Sequence, residues 1–406
     1  MNKQLNDMLG KQILLLDGAM GTMLLQNGLP VGKSSEIYNL TEPETVKRIH
    51  RAYLEAGSNI IYANTFGINS TKNAEYPMEE LVSAGIKLAK EEAQRFGSLA
   101  ALDVGPLGQL LEPMGTLPFE QAYALFREKM LAGEAAGADL IVIETMTDLY
   151  ELKAAVLAAK ENTSLPVFAT MSFEKSGKTF TGTDVGAMAV MLDSLGVDAM
   201  GINCSLGPVE ILPIAERLLS FTNTPLIVKA NAGLPEGDSY SITQEEFVQT
   251  AAKFAQMGVS VLGGCCGTNP DYIRGLKETV GNAAVKSRTP VETDYFCSSS
   301  TVLPVNGAFA VGEFVDGLDA AECSAALVSN DTEYFQDAAL DCMDEEPDAI
   351  RLDFDRLGVQ DDRGAALLVK EVAGITRVPL ILSGSEPTLL ERASRVYNGK
   401  CKLEYV

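Results

Sequence analysis

The chain has 406 residues, 46% of them hydrophobic, enough to bury a large core and to make one big domain followed by a smaller one. Its 32 basic against 55 acidic residues give a formal net charge of −23, which excludes a nucleic-acid surface, because affinity for phosphates is built from Lys and Arg. No stretch approaches the length of a membrane span, and the apolar run Ile13 to Leu16 is cut off by Asp17, so a cytoplasmic protein whose partner is a small molecule or another protein is expected.

Strand-like runs recur at Ile13 to Leu16, Asn59 to Ala63, Leu99 to Asp103, Leu140 to Glu144, Pro166 to Met171, Ala199 to Asn203, Pro225 to Lys229 and Ser260 to Leu262. Helix-period segments lie between them, announced by start signals at Thr41-Glu42-Pro43-Glu44, Pro118-Phe119-Glu120-Gln121, Thr147-Asp148, Thr243-Gln244-Glu245-Glu246 and Asn269-Pro270-Asp271. This alternation predicts an α/β fold, a closed (β/α)8 TIM barrel over residues 1–288, with a doubly wound open sheet as the competing topology. The stretch from Lys286 to Pro290 and the Ser-rich Cys297 to Thr301 read as a linker, placed at 289–305. A second βα pattern occupies 306–406, with strands at Phe309 to Glu313, Ala349 to Asp353, Pro379 to Leu382 and Lys402 to Tyr405, and helices near Tyr334 to Asp344, Arg363 to Ala373 and Thr388 to Tyr397. About a hundred residues cannot close an eight-stranded barrel, so this smaller α/β module resembles a partial barrel whose strands need a cover. A docking or homodimerisation role follows, while the acidic stretch Asp341 to Asp348 reads as a solvated face.

Three cysteines carry the strongest chemical signal. Cys204 follows the run Ala199 to Asn203, and Cys265 and Cys266 follow Ser260 to Leu262 within Gly263-Gly264-Cys265-Cys266-Gly267. Adjacent cysteines reach one metal ion where the backbone between them turns sharply, and flanking glycines permit such a turn. Three thiolates with one position open make a catalytic zinc pattern, because the open position admits a substrate atom. Cys297, Cys323, Cys342 and Cys401 show no metal-like spacing, and seven cysteines in a chain of this length do not make a disulfide framework.

A barrel builds its active site from the C-terminal ends of its strands. Asp17 follows the first strand, Asn64 and Thr65 the second, Glu144 ends the fourth, Asn203 and Cys204 end the sixth, Asn231 follows the seventh and the cysteine pair the eighth. These residues are therefore expected at one mouth. The single histidine, His50, falls in a helix-like segment and reads as a surface or packing residue, which leaves no basis for a Ser-His-Asp or Cys-His hydrolase.

Five segments in order, Leu14-Leu15-Leu16-Asp17-Gly18-Ala19-Met20-Gly21-Thr22, Ala63-Asn64-Thr65-Phe66-Gly67, Gly201-Ile202-Asn203-Cys204, Asn231-Ala232-Gly233-Leu234-Pro235 and Gly263-Gly264-Cys265-Cys266-Gly267, resemble the homocysteine S-methyltransferase family. Within it the likeness is to the homocysteine-binding barrel of cobalamin-dependent methionine synthases, over about residues 8 to 285. The resemblance implies that homocysteine is methylated to methionine, that Cys204, Cys265 and Cys266 bind Zn2+, and that Asn231 offers it an oxygen when substrate is absent. It also implies that Asp17 and Glu144 face the substrate ammonium, while Gly18, Ala19, Met20, Asn64 and Thr65 hold its other end and Asn203 lines the site. Metal coordination would keep the substrate sulfur a thiolate, ready to attack an activated methyl group without a histidine base.

The expected donor is methylcobalamin on a separate corrinoid protein, with S-methylmethionine or a betaine-type donor as alternatives. A homocysteine-binding interaction protein without turnover is the reading from a different class. Residues 306–406 resemble the opening half of a pterin-binding barrel. They depart from its pattern at Gly312-Glu313-Phe314-Val315-Asp316, Arg351-Leu352-Asp353 and Ser383-Gly384-Ser385, which argues against folate binding.

Overall fold

The computed structural model describes residues 3–69, 71, 76–236, 239–281, 283–316 and 318–406. They form two compact units, Met1–Thr181 with Leu195–Val291, and Gly182–Ser194 with Glu292–Val406.

In the first unit, eight parallel strands run β1 (Leu14–Leu15), β2 (Ile60–Tyr62), β3 (Leu99–Val104), β4 (Leu140–Met146), β5 (Val167–Met171), β6 (Ala199–Asn203), β7 (Leu226–Ala230) and β8 (Val261–Gly264). They hydrogen-bond in the order β1-β8-β7-β6-β5-β4-β3-β2. A parallel bridge between Leu16 and Ile60 joins the two ends, so the sheet is a barrel and not an open sheet. Leu140, Ile141, Val142 and Ile143 are all fully buried, as expected of parallel strands covered on both faces. Alternate residues, among them Leu14, Leu16, Ile60, Leu99, Leu140, Phe168, Ile227 and Val261, fill the interior as one cluster. Leu5 joins that cluster from the N-terminal helix Lys3–Met8 and covers the bottom of the barrel.

The helix starts follow their sequence signals. Thr243 and Glu246 form a reciprocal capping box on Gln244–Met257, and Asp148 accepts from the Glu151 N–H at 2.8 Å to start Leu149–Asn162. Asn269 caps Pro270–Val280, whose proline occupies the first turn, where its missing N–H costs nothing.

The second unit holds four parallel strands in the order Val311–Glu313, Ala349–Asp353, Leu380–Gly384 and Lys402–Tyr405. Its helices include Thr332–Met343, Asp362–Ile375 and Pro387–Arg395, and also Ala320–Ser329, capped by Asp319, which periodicity did not reveal. The segment expected as a linker is folded. Tyr295–Cys297 pairs antiparallel with Val302–Pro304, and the serine run is the turn between them. Fully buried Phe296 clusters with Ala349 and Ile381, so this hairpin covers one face of the small sheet. Cys297 and Lys400 exchange backbone hydrogen bonds at 2.9 and 3.0 Å. Helix Val185–Ser194, which lies between β5 and β6 in sequence, belongs to this second unit, where the Ala187 carbonyl receives the Cys297 thiol at 3.6 Å. Among the described residues no helix is long and apolar enough to cross a membrane.

Candidate metal and amino-acid site

Cys204 leaves β6 in the left-handed region at φ 61°, followed by Ser205 at φ 55°. Non-glycine residues rarely adopt this conformation, and two in succession turn the chain sharply enough to swing the Cys204 thiol over the barrel mouth. Opposite, the Cys265 N–H is held by the Ala230 carbonyl at 2.7 Å, and the Cys265 carbonyl accepts from the Thr268 backbone N–H and hydroxyl. The Cys266 carbonyl accepts from the Ala232 N–H at 2.9 Å.

Of the flanking glycines only Gly267 needs the left-handed region, at φ +82°. Gly263 and Gly264 serve close approach instead: a Cβ on Gly263 would lie 2.7 Å from the Leu16 Cβ, and one on Gly264 would lie 2.3 Å from the Thr268 hydroxyl. Cys204 and Ser205 add a left-handed turn at the other cysteine, which no glycine in the sequence announced.

The sulfurs of Cys204, Cys265 and Cys266 all lie within 4.8 Å of one another, and among the described residues this is the one cluster able to hold a metal ion. The Cys204 and Cys266 sulfurs are 3.9 Å apart. Hydrogen bonds from the other two thiols push the Cys204 pKa far down, and sharing with Cys204 pushes those of Cys265 and Cys266 up. The Asn231 side chain hydrogen-bonds to the Cys204 sulfur, while its Oδ1 is buried and has no hydrogen-bond partner. Such an orphaned oxygen is costly unless something fills the position beside it.

Beside the sulfurs is a buried ionic cluster. Asp17 Oδ2 accepts from the Tyr62 N–H at 2.8 Å. The Lys229 ammonium, from β7, lies 3.7 Å from Asp17 Oδ1, 3.3 Å from Glu144 Oε2 and 3.8 Å from the centre of the Tyr62 ring. Asp103, from β3, is buried with Oδ1 unpartnered, as is the Tyr62 hydroxyl. Burial raises the Asp17 pKa to about 7 against the pull of Lys229. It raises Glu144 and Asp103 as well, and the Glu144 charge adds to the effect on Asp103. Burial works against the Lys229 ammonium, but Glu144, Tyr62 and Asp17 hold its pKa well above the ordinary lysine value.

The other expected site residues come to the same mouth with their side chains differently engaged. Asn203 is fully buried; its Oδ1 accepts from the Thr145 N–H and the Thr170 hydroxyl, both at 2.8 Å, and its Nδ2 donates to the Thr145 hydroxyl at 2.7 Å. It locks the ends of β4, β5 and β6 together, and Thr145 takes φ 62° there. Asn64 Nδ2 donates to the Ser35 carbonyl and to Asn39 Oδ1, and Thr65 exchanges hydrogen bonds with the Asp103 backbone. Gly18 and Ala19 lead into the short helix Met20–Gln26, and the buried Tyr53 hydroxyl donates to the Ala19 carbonyl at 3.2 Å.

Lys229, Asp103 and Tyr62 escaped the sequence reading. The signal was there for the first two: a lysine inside Leu226-Ile227-Val228-Lys229-Ala230 and an aspartate inside Ala100-Ala101-Leu102-Asp103-Val104 are charges within buried strands, where each needs a partner. His50 is fully buried in the helix Pro43–Ala56, in keeping with a packing role.

The chain is 29% identical to the methionine synthase of Mycobacterium tuberculosis over 428 residues, covering 98% of this chain and 36% of that protein. The methionine synthase of Mycobacterium leprae is 28% identical over 431 residues, with the same coverage. The chain thus spans about a third of the length of these curated relatives. The metallated form of the homocysteine methyltransferase MmuM from Escherichia coli shares the fold at a TM-score of 0.59 and 24% identity, covering 68% of this chain and 98% of that one. The family profile described as Homocysteine S-methyltransferase matches residues 14–280, more than half of the chain and the whole run of strands from β1 to β8. The chain therefore belongs to the homocysteine S-methyltransferase family.

Proposed function

We propose that the barrel makes methionine from homocysteine with Cys204, Cys265 and Cys266 as ligands of a zinc ion. The observation that carries this reading is the triad of sulfurs within 4.8 Å beside a buried Asn231 Oδ1 that lacks a hydrogen-bond partner. Three soft sulfurs and one oxygen suit zinc, and turning the Asn231 amide by half a turn brings that oxygen toward the sulfurs. Zinc held there would supply a Lewis acid that keeps a substrate thiol deprotonated at neutral pH.

The chain's own groups do the rest. Asp17 and Glu144 face the substrate ammonium, and the Gly18-Ala19-Met20 turn with the Asn64-Thr65 segment receives the carboxylate end. Asn203 acts as a positioning residue, because its hydrogen bonds fix Thr145 and the ends of three strands. The homocysteine sulfur then attacks the methyl carbon in line: the S–C bond forms, the donor–carbon bond breaks, and the thiol proton has already left to solvent. No histidine serves as base, since His50, the single histidine, is fully buried within a helix and not at a strand end.

We assign methylcobalamin on a separate protein as donor, with S-methylmethionine and betaine-type compounds as alternatives. Residues 306–406 are a pterin-binding-like module that serves docking or homodimerisation. The test offers zinc-loaded protein and homocysteine each of methylcobalamin, S-methylmethionine and betaine, and measures methionine. Product is expected from methylcobalamin; saturable homocysteine binding with no product from any donor would establish the binding-only reading instead.

A further inference from the structure

A subsite built to seize an ammonium leaves its carboxylates free for the ligand, and here a lysine of the chain already takes them. Lys229 is 4% exposed and its ammonium lies 3.3 Å from Glu144 and 3.7 Å from Asp17, over the face of Tyr62. A second ammonium brought to the same two carboxylates would sit beside a like charge inside a buried pocket, where little solvent screens the repulsion. The carboxylate left over is Asp103, whose Oδ1 has no hydrogen-bond partner. The cluster can therefore receive a substrate ammonium, but with much less attraction than an unpaired Asp17 and Glu144 would exert.

We propose that Lys229 is a specificity-determining residue of the amino-acid subsite, a tethered ammonium that offsets Asp17 and Glu144 and relaxes the demand for an α-ammonium on the substrate. The thiols accepted then extend from α-amino thiols such as homocysteine to mercapto carboxylates that lack the amino group. This rests on the reading of the mouth as a homocysteine site. A lysine that only ties strands together would, when replaced, weaken every ligand alike; a counter-cation changes the ranking of ligands.

Binding of L-methionine and of 4-(methylthio)butanoate, which differ only in the ammonium, is measured by calorimetry on metal-free protein, so that zinc retention plays no part. The wild-type protein is expected to prefer L-methionine by less than about tenfold. Lys229→Gln should widen that preference by at least about tenfold, chiefly through tighter L-methionine binding, and Lys229→Arg should restore the wild-type ratio. A wild-type preference above about a hundredfold, or equal losses for both ligands in Lys229→Gln, would overturn the proposal. The wild-type ratio decides even where the Gln variant does not fold. No saturable binding of either ligand by wild-type protein would overturn the homocysteine reading itself, and this inference with it.

Discussion

The barrel and the four-stranded unit are built on the same strand–helix grammar, yet they treat the charged groups at their strand ends differently: among the described residues, the buried atoms that the second unit leaves without hydrogen-bond partners are uncharged ones, Ser383 Oγ and Asn398 Oδ1. In the barrel, Tyr62 OH, Asp103 Oδ1 and Asn231 Oδ1 are buried without hydrogen-bond partners, beside the three sulfurs. In the second unit the charged groups satisfy one another. Arg351 joins Glu313 and Glu404, Asp353 caps Phe354–Leu357, and Asp355 receives both the N–H and the hydroxyl of Ser385. Uncommitted buried polar atoms gathered at one mouth mark a place for a ligand, whereas charges spent on neighbours mark scaffold.

The sharpest way to break this contrast is to remove a sulfur. Cys265→Ala or Cys266→Ala should abolish both metal retention, measured by elemental analysis, and methyl transfer; a fully active variant without zinc would sink the proposed mechanism. Stripping the metal from the unaltered protein with a chelator should likewise abolish transfer while leaving the far-ultraviolet circular dichroism intact, because the barrel is held by its own apolar core. Collapse of that signal would make the metal structural.

The next effect concerns the amino-acid end. Asp17 has its pKa raised to about 7, so it is partly neutral at physiological pH and must ionise to attract an ammonium. L-Methionine, which brings no titrating thiol, should bind more tightly as pH rises from about 6 to 8, by at most about tenfold per unit below the Asp17 pKa. Asp17→Asn should flatten the dependence, and an unchanged slope in that variant would assign the titration to another group.

Much of this was legible before any coordinates, and the exceptions share a cause. The eight barrel strands announce themselves because parallel strands buried on both faces read as short apolar runs, and Cys265-Cys266 among glycines has few uses. The hairpin Tyr295–Cys297 with Val302–Pro304 was hidden because each strand is only three residues long and its turn is a serine run that reads as linker. Its stability comes from burying Phe296 against Ala349 and Ile381, a tertiary contact that no local pattern encodes. Lys229 was overlooked for a related reason: a cation inside a strand makes sense only once its two carboxylates, far away in sequence, are seen around it.

His50 tests the contrast from within the barrel. Both of its ring nitrogens are buried without partners, yet it lies in a helix and not at a strand end, so it is expected to be a cost of packing and not a ligand position. Burial lowers its pKa to about 4, below the value of about 6.5 in an unfolded chain. Between those values the unfolded state binds the extra proton, so the stability of the neutral form is complete above about pH 6.5 and is lost as pH falls toward 4, by up to about 3 kcal/mol. His50→Leu should remove this acid sensitivity in thermal melts and leave L-methionine binding unchanged. A loss of binding would show that orphaned atoms outside the mouth also serve the site.

The smallest expected effect lies in the second unit and tests whether its charges are scaffold. Arg351 is about one-third exposed and contacts Glu313 on one neighbouring strand's end and Glu404 on the far edge strand. Replacing it with Met removes the cation but keeps much of the apolar stem, leaving two carboxylates that solvent can partly reach. Because exposure weakens such pairs, the cost should be about 1 kcal/mol in the unfolding of this unit, and lower in high salt because the wild-type pairs are themselves screened. If these charges only hold the sheet together, Arg351→Met leaves L-methionine affinity and methyl transfer untouched, since its ion pairs are with Glu313 and Glu404 of the same sheet. A fall in transfer with unaltered L-methionine binding would instead place the donor's carrier on this sheet, and would turn the paired charges from scaffold into a docking face.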